Sequence, residues 1–204
     1  MSKESSYHHG NLREALLEAG TKLVEEKGVA DVSLRAVAKA AGVSHTAPYR
    51  HFSDKNAMLR GIAATGFRLL AQRIEEAVEL HPGNPELQLS AAGVAYVELA
   101  IEHPRLHNLM FGGVLQDDAV DDSLEERSDQ AFKGLVGIIA LGQQAGVFRR
   151  GDTDELALTA WSLVHGFAML ASTGTLDHRA GGQEAKLALA HRVANHLLSG
   201  LAKR

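Results

Sequence analysis

The sequence predicts an all-α protein of about nine helices, arranged as a small N-terminal three-helix domain and a larger C-terminal helical domain. Three observations support this prediction. Apolar residues recur at helical spacing along most of the 204-residue chain. Leu and Ala dominate the apolar set, and both are good helix formers. Only four prolines interrupt the chain, and β-branched runs are almost absent.

The first domain contains the most informative segment, residues 33–55, which predicts two short helices joined by a tight turn. Ser33 is placed to cap the first of them and Gly42 to end it in the left-handed region. Ser44 is placed to cap a second helix over 45–51. The apolar stripe of the first helix is Leu34, Val37, Ala38 and Ala41. Two helices joined in this way form a helix-turn-helix, whose second helix enters the DNA major groove.

The other helices follow from breaks in the chain. A first helix over 11–27 ends at Gly28, and the prolines at 82, 85 and 104 separate later ones. The remaining predicted helices span 54–80, 85–102, 105–111, 123–145, 153–172 and 183–202. The domain boundary is expected at residue 55, giving domains of 1–55 and 56–204 that helix 54–80 makes mechanically continuous.

The first domain resembles the DNA-binding domain of the TetR/AcrR family of transcriptional regulators. The resemblance extends from Tyr7 to about Leu59, and residues 7–13 resemble one branch of the family. The matching residues are Ser33, Leu34, Arg35, Ala38, Ala41, Gly42, Val43, Ser44, Tyr49, His51, Phe52 and Lys55. This resemblance implies a homodimeric repressor that a small-molecule effector releases from an inverted-repeat operator in double-stranded DNA. The alternative is an activator, or a regulator controlled by a protein partner without a small-molecule ligand.

Two kinds of DNA contact are expected from this domain. The candidates for base contacts are His45, Thr46 and Ala47, while Ser44 is a candidate for a base or a phosphate. The candidates for phosphate contacts are Arg35, Tyr49, Arg50, His51 and Lys55. Pro48 disfavours an ordinary helix here. It predicts that the second helix is short, starts late or has a 3₁₀ first turn.

Charge alone does not predict DNA binding. The chain carries a net charge of −4, with +1 over residues 1–55 and −5 over the rest. Cysteine is absent, which is compatible with a reducing cytosol. Residues 1–10 lack the apolar segment of a signal peptide, and no apolar run approaches the ~20 residues that span a bilayer. A cytoplasmic location, without membrane association, is therefore expected.

The C-terminal domain has a second distinctive segment, Trp161 to Gly166, which resembles the Trp…His-Gly signature of one branch of the TetR family. The resemblance implies a pocket for a small apolar effector and a dimer interface. The expected pocket residues are Phe67, Leu70, Ile74, Tyr96, Leu106, Met110, Phe111, Phe132, Leu135, Trp161 and His165. The expected interface residues are Leu163, Phe167, Leu187, Ala190, Val193, Ala194, Leu197, Leu198 and Leu201. Helical periodicity is equally compatible with an ordinary core at all these positions.

Neither catalysis nor a cofactor is indicated. The histidine pairs His103/His107 and His191/His196 lack further ligands at metal-binding spacing, so no metal site is expected. The chain contains no G-x-S-x-G motif and no Gly-rich phosphate loop. Ser162 near His165 is an isolated pair. The sequence therefore predicts a regulator rather than an enzyme.

Overall fold

A computed structural model describes residues 11–112 and 122–201, with side chains over 12–112 and 132–201. Regular structure in this part of the chain is helical. The eight α-helices are α1 (Asn11–Lys27), α2 (Leu34–Ala40), α3 (Lys55–Glu79), α4 (Pro85–Glu102), α5 (Pro104–Phe111), α6 (Asp122–Gln144), α7 (Thr153–Ser172) and α8 (Gln183–Leu201). Residues 7–10 and 202, which carried sequence predictions, lie outside the described residues.

The helices begin where the sequence places polar caps. The Ser33 hydroxyl accepts a hydrogen bond from the Ala36 N–H at 3.2 Å, and Asn84 and Asp152 cap α4 and α7 in the same way. The Asp54 carboxylate accepts from the Ala57 N–H at 2.7 Å, and this bond lowers the pKa of Asp54. Gly42 ends α2 with a φ of 68°, a region that favours glycine.

The predicted second helix of the helix-turn-helix is the main difference between sequence and structure. Residues 45–47 form a turn, and only Pro48–Arg50 are helical, as a 3₁₀ turn. Ser44 does not cap a helix, because its hydroxyl accepts from the Thr46 N–H two residues on. Pro48 accounts for the change through its missing N–H, which cannot bond back to Ser44, so that it stands at the start of a helical turn and not inside one. Ala47 itself keeps helical dihedrals, with φ −61° and ψ −43°. The helix predicted over 45–51 is thus wrong in type, and the 3₁₀ alternative is the one observed.

The N-terminal domain, here called the head, has a closed core of its own. Side chains of α1 and α2 pack there against the first half of α3, and Leu16, Val37 and Ile62 have no exposed surface. Leu106 and Leu109 of α5 belong to the same core. The head therefore draws on residues well beyond 55, and a helix of the C-terminal half forms part of it.

The C-terminal domain, here called the body, packs α4 at its centre against α3, α7 and α8. Four residues expected at a dimer interface lie inside this packing instead: Phe167, Ala190, Ala194 and Leu201 are buried within the single chain. Within the single chain these four side chains belong to the core. The physical reason is that α8 uses its apolar seam to cover α4 and α7, which is the ordinary-core alternative. Leu163 is 38% exposed, and Leu187, Val193, Leu197 and Leu198 are partly exposed.

Candidate DNA-binding surface and ligand cavity

Most of the candidate DNA-contacting residues are exposed on the head, whereas Ala47, His51 and Lys55 are partly buried. Arg35 lies in the first turn of α2 and is exposed. His45, Thr46 and Arg50, which follow α2 in the sequence, are exposed as well. Tyr49 is 54% exposed, which is unusual for a large aromatic side chain. The neighbouring Pro48 and Phe52 are buried and anchor this segment. Buried apolar side chains thus fix the backbone of this segment, while its polar side chains face solvent.

Four members of the set have contacts within the head. The Lys55 ammonium donates to the Ala30 carbonyl at 3.1 Å and so fastens α3 to the turn before α2. The hydroxyls of Ser44 and Thr46 lie 2.9 Å apart and bond each other. His51 is half-buried against Phe52. These side chains shape the surface whether or not they also contact DNA.

A cavity of about 920 Å³ lies inside the body, at the upper end of the usual size for a small-molecule site. Its walls come from α3, α4, α6, α7 and α8, with Phe111 of α5 closing one side. Eight of the eleven expected pocket residues line it: Phe67, Leu70, Ile74, Tyr96, Phe111, Phe132, Leu135 and Trp161. Leu197 and Leu198, expected at the dimer interface, also line it.

Leu106, Met110 and His165 do not line the cavity. Leu106 is buried in the core of the head, and Met110 packs against Gly66, where an added Cβ would lie 2.5 Å from its sulfur. His165 lies behind Tyr96. The sequence reasoning missed Arg68, Glu75 and Ser90, the charged and hydroxyl groups of the lining. No spacing signal marks Arg68 and Glu75, because each follows a predicted wall residue directly and adjacent helical positions point about 100° apart.

A buried polar cluster adjoins the cavity. The Tyr96 hydroxyl lies 2.8 Å from Nδ1 of His165, and the rings of Phe111 and His165 are 4.8 Å apart. His107 has no exposed surface, and neither of its ring nitrogens has a hydrogen-bond partner among the described residues. Burial lowers the pKa of His107 to about 4 and also lowers the pKa of His165. Both imidazoles are therefore neutral at pH 7.

The head and the body are joined through α5 as well as α3. The Glu25 carboxylate of α1 accepts from the Leu106 N–H at 2.7 Å, and the Arg105 guanidinium donates to the Glu25 carbonyl at 2.8 Å. Glu25 thus caps the first turn of α5 from another helix. Because the other end of α5 carries Phe111, one short helix connects the head to the cavity wall.

Within the described residues, no helix is long and apolar enough to cross a membrane. The same part of the chain has no group of three or more His, Cys, Asp or Glu side chains that could hold a metal ion.

The architecture defines the class of the protein: a helix-turn-helix head joined by a long continuous helix to a helical domain. A model of bacterial regulatory proteins of the tetR family matches residues 16–62, and one of the tetracyclin repressor-like C-terminal domain matches residues 89–196. The chain therefore belongs to the TetR family of DNA-binding transcription regulators.

Individual relatives agree with this assignment. The nucleoid occlusion factor SlmA of Actinobacillus pleuropneumoniae serotype 5b (strain L20) is 30% identical over 148 residues, which cover 68% of each chain. The structure of a protein with unknown function from Rhodococcus sp. RHA1 is 34% identical and has a TM-score of 0.83, with 98% of this chain and 100% of that chain covered. The transcriptional regulator FadR of Bacillus subtilis, in complex with stearoyl-CoA, shares the fold alone, at 19% identity and a TM-score of 0.70 over 92% of this chain and 98% of that one.

Proposed function

We propose that the protein is a homodimeric repressor that leaves an inverted-repeat operator when a small, largely apolar effector occupies the body. The observation that carries the proposal is the cavity of about 920 Å³ beside α3, the helix that begins in the head. A ligand that binds better to one arrangement of α3 than to another shifts the population between them. A solid body would instead have favoured control by a protein partner.

Dimerisation is part of this proposal, because paired heads read half-sites about 34–36 Å apart. The surface that supports it lies on α7, where Leu163 and Leu170 are 38% and 46% exposed and Gly166 lies between them. Residues 163, 166 and 170 share one helical face. This face, rather than the seam of α8, is the candidate contact with a second copy.

The Trp…His-Gly branch of the family is supported by the packing of its first two residues. The rings of Trp161 and His165 lie 5.4 Å apart on α7, and Trp161 lines the cavity. A cytoplasmic location is proposed with the function, since the operator is chromosomal DNA.

Selection of bound DNA from a random pool tests the first half of the proposal. Recovery of an inverted repeat is expected, and affinity for it should fall as salt rises because bound phosphates release counterions. An Arg50→Ala variant should reduce the slope of log affinity against log salt by about one. A Lys133→Ala variant, which removes an exposed charge in the body, is the control. Specific binding that ignores salt, or no specific binding, would overturn the proposal.

The second half is tested by adding apolar compounds to the protein–operator complex. Compounds that occupy the cavity should weaken operator binding. Occupancy can be followed independently, because Trp161 is the single tryptophan of the chain and lines the cavity. A compound that changes Trp161 fluorescence while operator affinity stays constant would separate binding from regulation and refute release.

A further inference from the structure

The polar groups associated with the cavity have an uneven distribution. Arg68 and Glu75, its charged lining residues, are exposed on α3 and so lie at its rim. Among the described lining residues that are buried, Tyr96 is the one whose side chain carries a polar atom. A ligand that fills this space therefore meets charge only near solvent and meets a hydrogen-bonding group in the interior.

Tyr96 can act toward a ligand as either donor or acceptor. If its hydroxyl donates to Nδ1 of His165, the phenolic oxygen accepts from its other side-chain partner, the indole of the cavity-lining Trp161, and a ligand donor would compete with that indole for the oxygen. If His165 carries its proton on Nδ1 and donates it, the Tyr96 O–H is free to donate instead. Tautomerisation of one imidazole thus switches the hydrogen bond that Tyr96 offers.

His107 adds unused hydrogen-bonding capacity behind the same wall. Its ring lies 5.0 Å from that of Phe111 and 5.9 Å from that of Tyr96, between centroids. Buried polar groups in folded proteins nearly always have partners, and neither ring nitrogen of His107 has one within residues 12–112 and 132–201, so both can take up a further hydrogen bond. A ligand oxygen that reaches past Phe111 would supply one.

We propose that Tyr96, His165 and His107 form a recognition site for a neutral oxygen group, a ketone or an alcohol, on an otherwise apolar effector. The inference rests on the proposed function, since it assumes that the cavity is the effector site. A carboxylate is disfavoured here because, among the described residues, the buried lining includes no lysine or arginine to pair with a buried negative charge. Both histidines resist protonation in this environment.

Four probes with one carbon skeleton test the proposal on the full chain. They are butylbenzene, its ketone benzylacetone, the terminal alcohol phenylbutanol and the carboxylate phenylbutanoate. Affinity is measured by titration of Trp161 fluorescence with wild type, Tyr96→Phe and His165→Leu. The ketone and the alcohol should bind about tenfold more weakly to Tyr96→Phe, while butylbenzene should change by less than about twofold. His165→Leu should weaken the same two probes.

Ser162→Ala is the matched control. It removes a hydroxyl next to the reporter on the exposed side of α7, so the four affinities should stay at their wild-type values. Thermal unfolding of each variant shows whether it is folded. If Tyr96→Phe does not fold, the response of the folded His165→Leu variant decides the question.

The outcomes separate this inference from the proposed function. If no probe changes Trp161 fluorescence, the cavity is not a ligand site and both fail. A second outcome is that butylbenzene binds and that Tyr96→Phe lowers the affinity for all four probes equally, or for none of them. The oxygen site is then refuted, while an apolar effector site stands. Binding of phenylbutanoate as tight as that of benzylacetone, lost in Arg68→Ala, would refute it too, because it would place an anion at the rim.

Discussion

The head and the body differ in how completely their side chains fill the interior. In the head, short helices close around Leu16, Val37 and Ile62, and even glycines are in contact: a Cβ on Gly20 would lie 2.7 Å from Ile62. In the body, longer helices line a cavity of about 920 Å³ and bury His107, whose ring nitrogens have no hydrogen-bond partner in the part of the chain that the structure describes. The difference indicates that close packing holds the surface of the head in one shape. The body forgoes part of the packing free energy of a filled core and keeps a cavity that a ligand can occupy.

Matched truncations give the largest expected contrast between the two regions. Leu16→Ala should lower the free energy of unfolding by about 2–5 kcal/mol, because it opens a cavity in a filled core. Leu135→Ala, on the cavity wall, should cost less than about 1.5 kcal/mol, because this half-buried side chain already faces empty space. Urea unfolding of both variants measures the difference. Equal losses would mean that the body is as tightly packed as the head.

Acid should destabilise the body through His107. Unfolded histidine takes up a proton near pH 6.5, whereas the pKa of buried His107 is about 4. Between pH 4 and pH 6.5 the unfolded chain therefore binds a proton at this histidine that the folded chain does not. The free energy of unfolding keeps its full value above pH 6.5 and falls as the pH is lowered toward 4. The loss should approach about 3 kcal/mol. In a His107→Leu variant this contribution disappears, so parallel pH curves of unfolding free energy for the two proteins would contradict the prediction.

Enlarging an alanine should have opposite effects in the two regions. Ala63→Leu in the filled head should destabilise by about 1–3 kcal/mol through overpacking. Ala92→Leu, which projects into the cavity wall, should be neutral or stabilising by about 0.5–2 kcal/mol and should weaken ligand binding. Melting temperatures with and without butylbenzene report both effects. A destabilised Ala92→Leu variant would show that the wall cannot accept added volume.

The smallest expected effect concerns the link between the regions. Glu25→Ala should lower stability by about 0.5–2 kcal/mol, because α5 loses the carboxylate that caps Leu106. Glu25→Gln keeps an acceptor oxygen and should lose less. If α5 transmits cavity occupancy to the head, Glu25→Ala should also reduce the effect of a ligand on operator affinity. An unchanged ligand effect would leave α3 as the route.

Most of the fold was predictable because its signals are local. Ser33, Asp54, Asn84 and Asp152 act as helix caps in the structure, and the helix bounds lie within a residue or two of those predicted. The one error of type, over 45–51, came from giving Ser44 and the family resemblance more weight than Pro48. The proline itself indicated the 3₁₀ turn that is observed.

The site was predictable only in part. Phe67, Tyr96 and Trp161 were expected at a pocket and line one, since aromatic side chains on facing helices are natural wall residues. His165 and Leu106 were expected there too, yet one lies behind Tyr96 and the other belongs to the head. No pattern along the chain tells whether an apolar helix face meets a core, a cavity or a second subunit, and α8 shows this, because its predicted interface seam covers α4 and α7.

The sequence by itself determined the eight α-helices of the described residues, their ends and the family, because caps, glycines and apolar periodicity act through neighbours in the chain. It did not determine the 3₁₀ form of the segment after Gly42. Only the tertiary structure decided that α5 is capped by Glu25 and packs into the head, that Tyr96 meets His165, and that His107 is buried with no hydrogen-bond partner for its ring among the described residues. Those contacts join residues as many as 81 positions apart. They depend on how helices pack, which residue type and spacing do not specify.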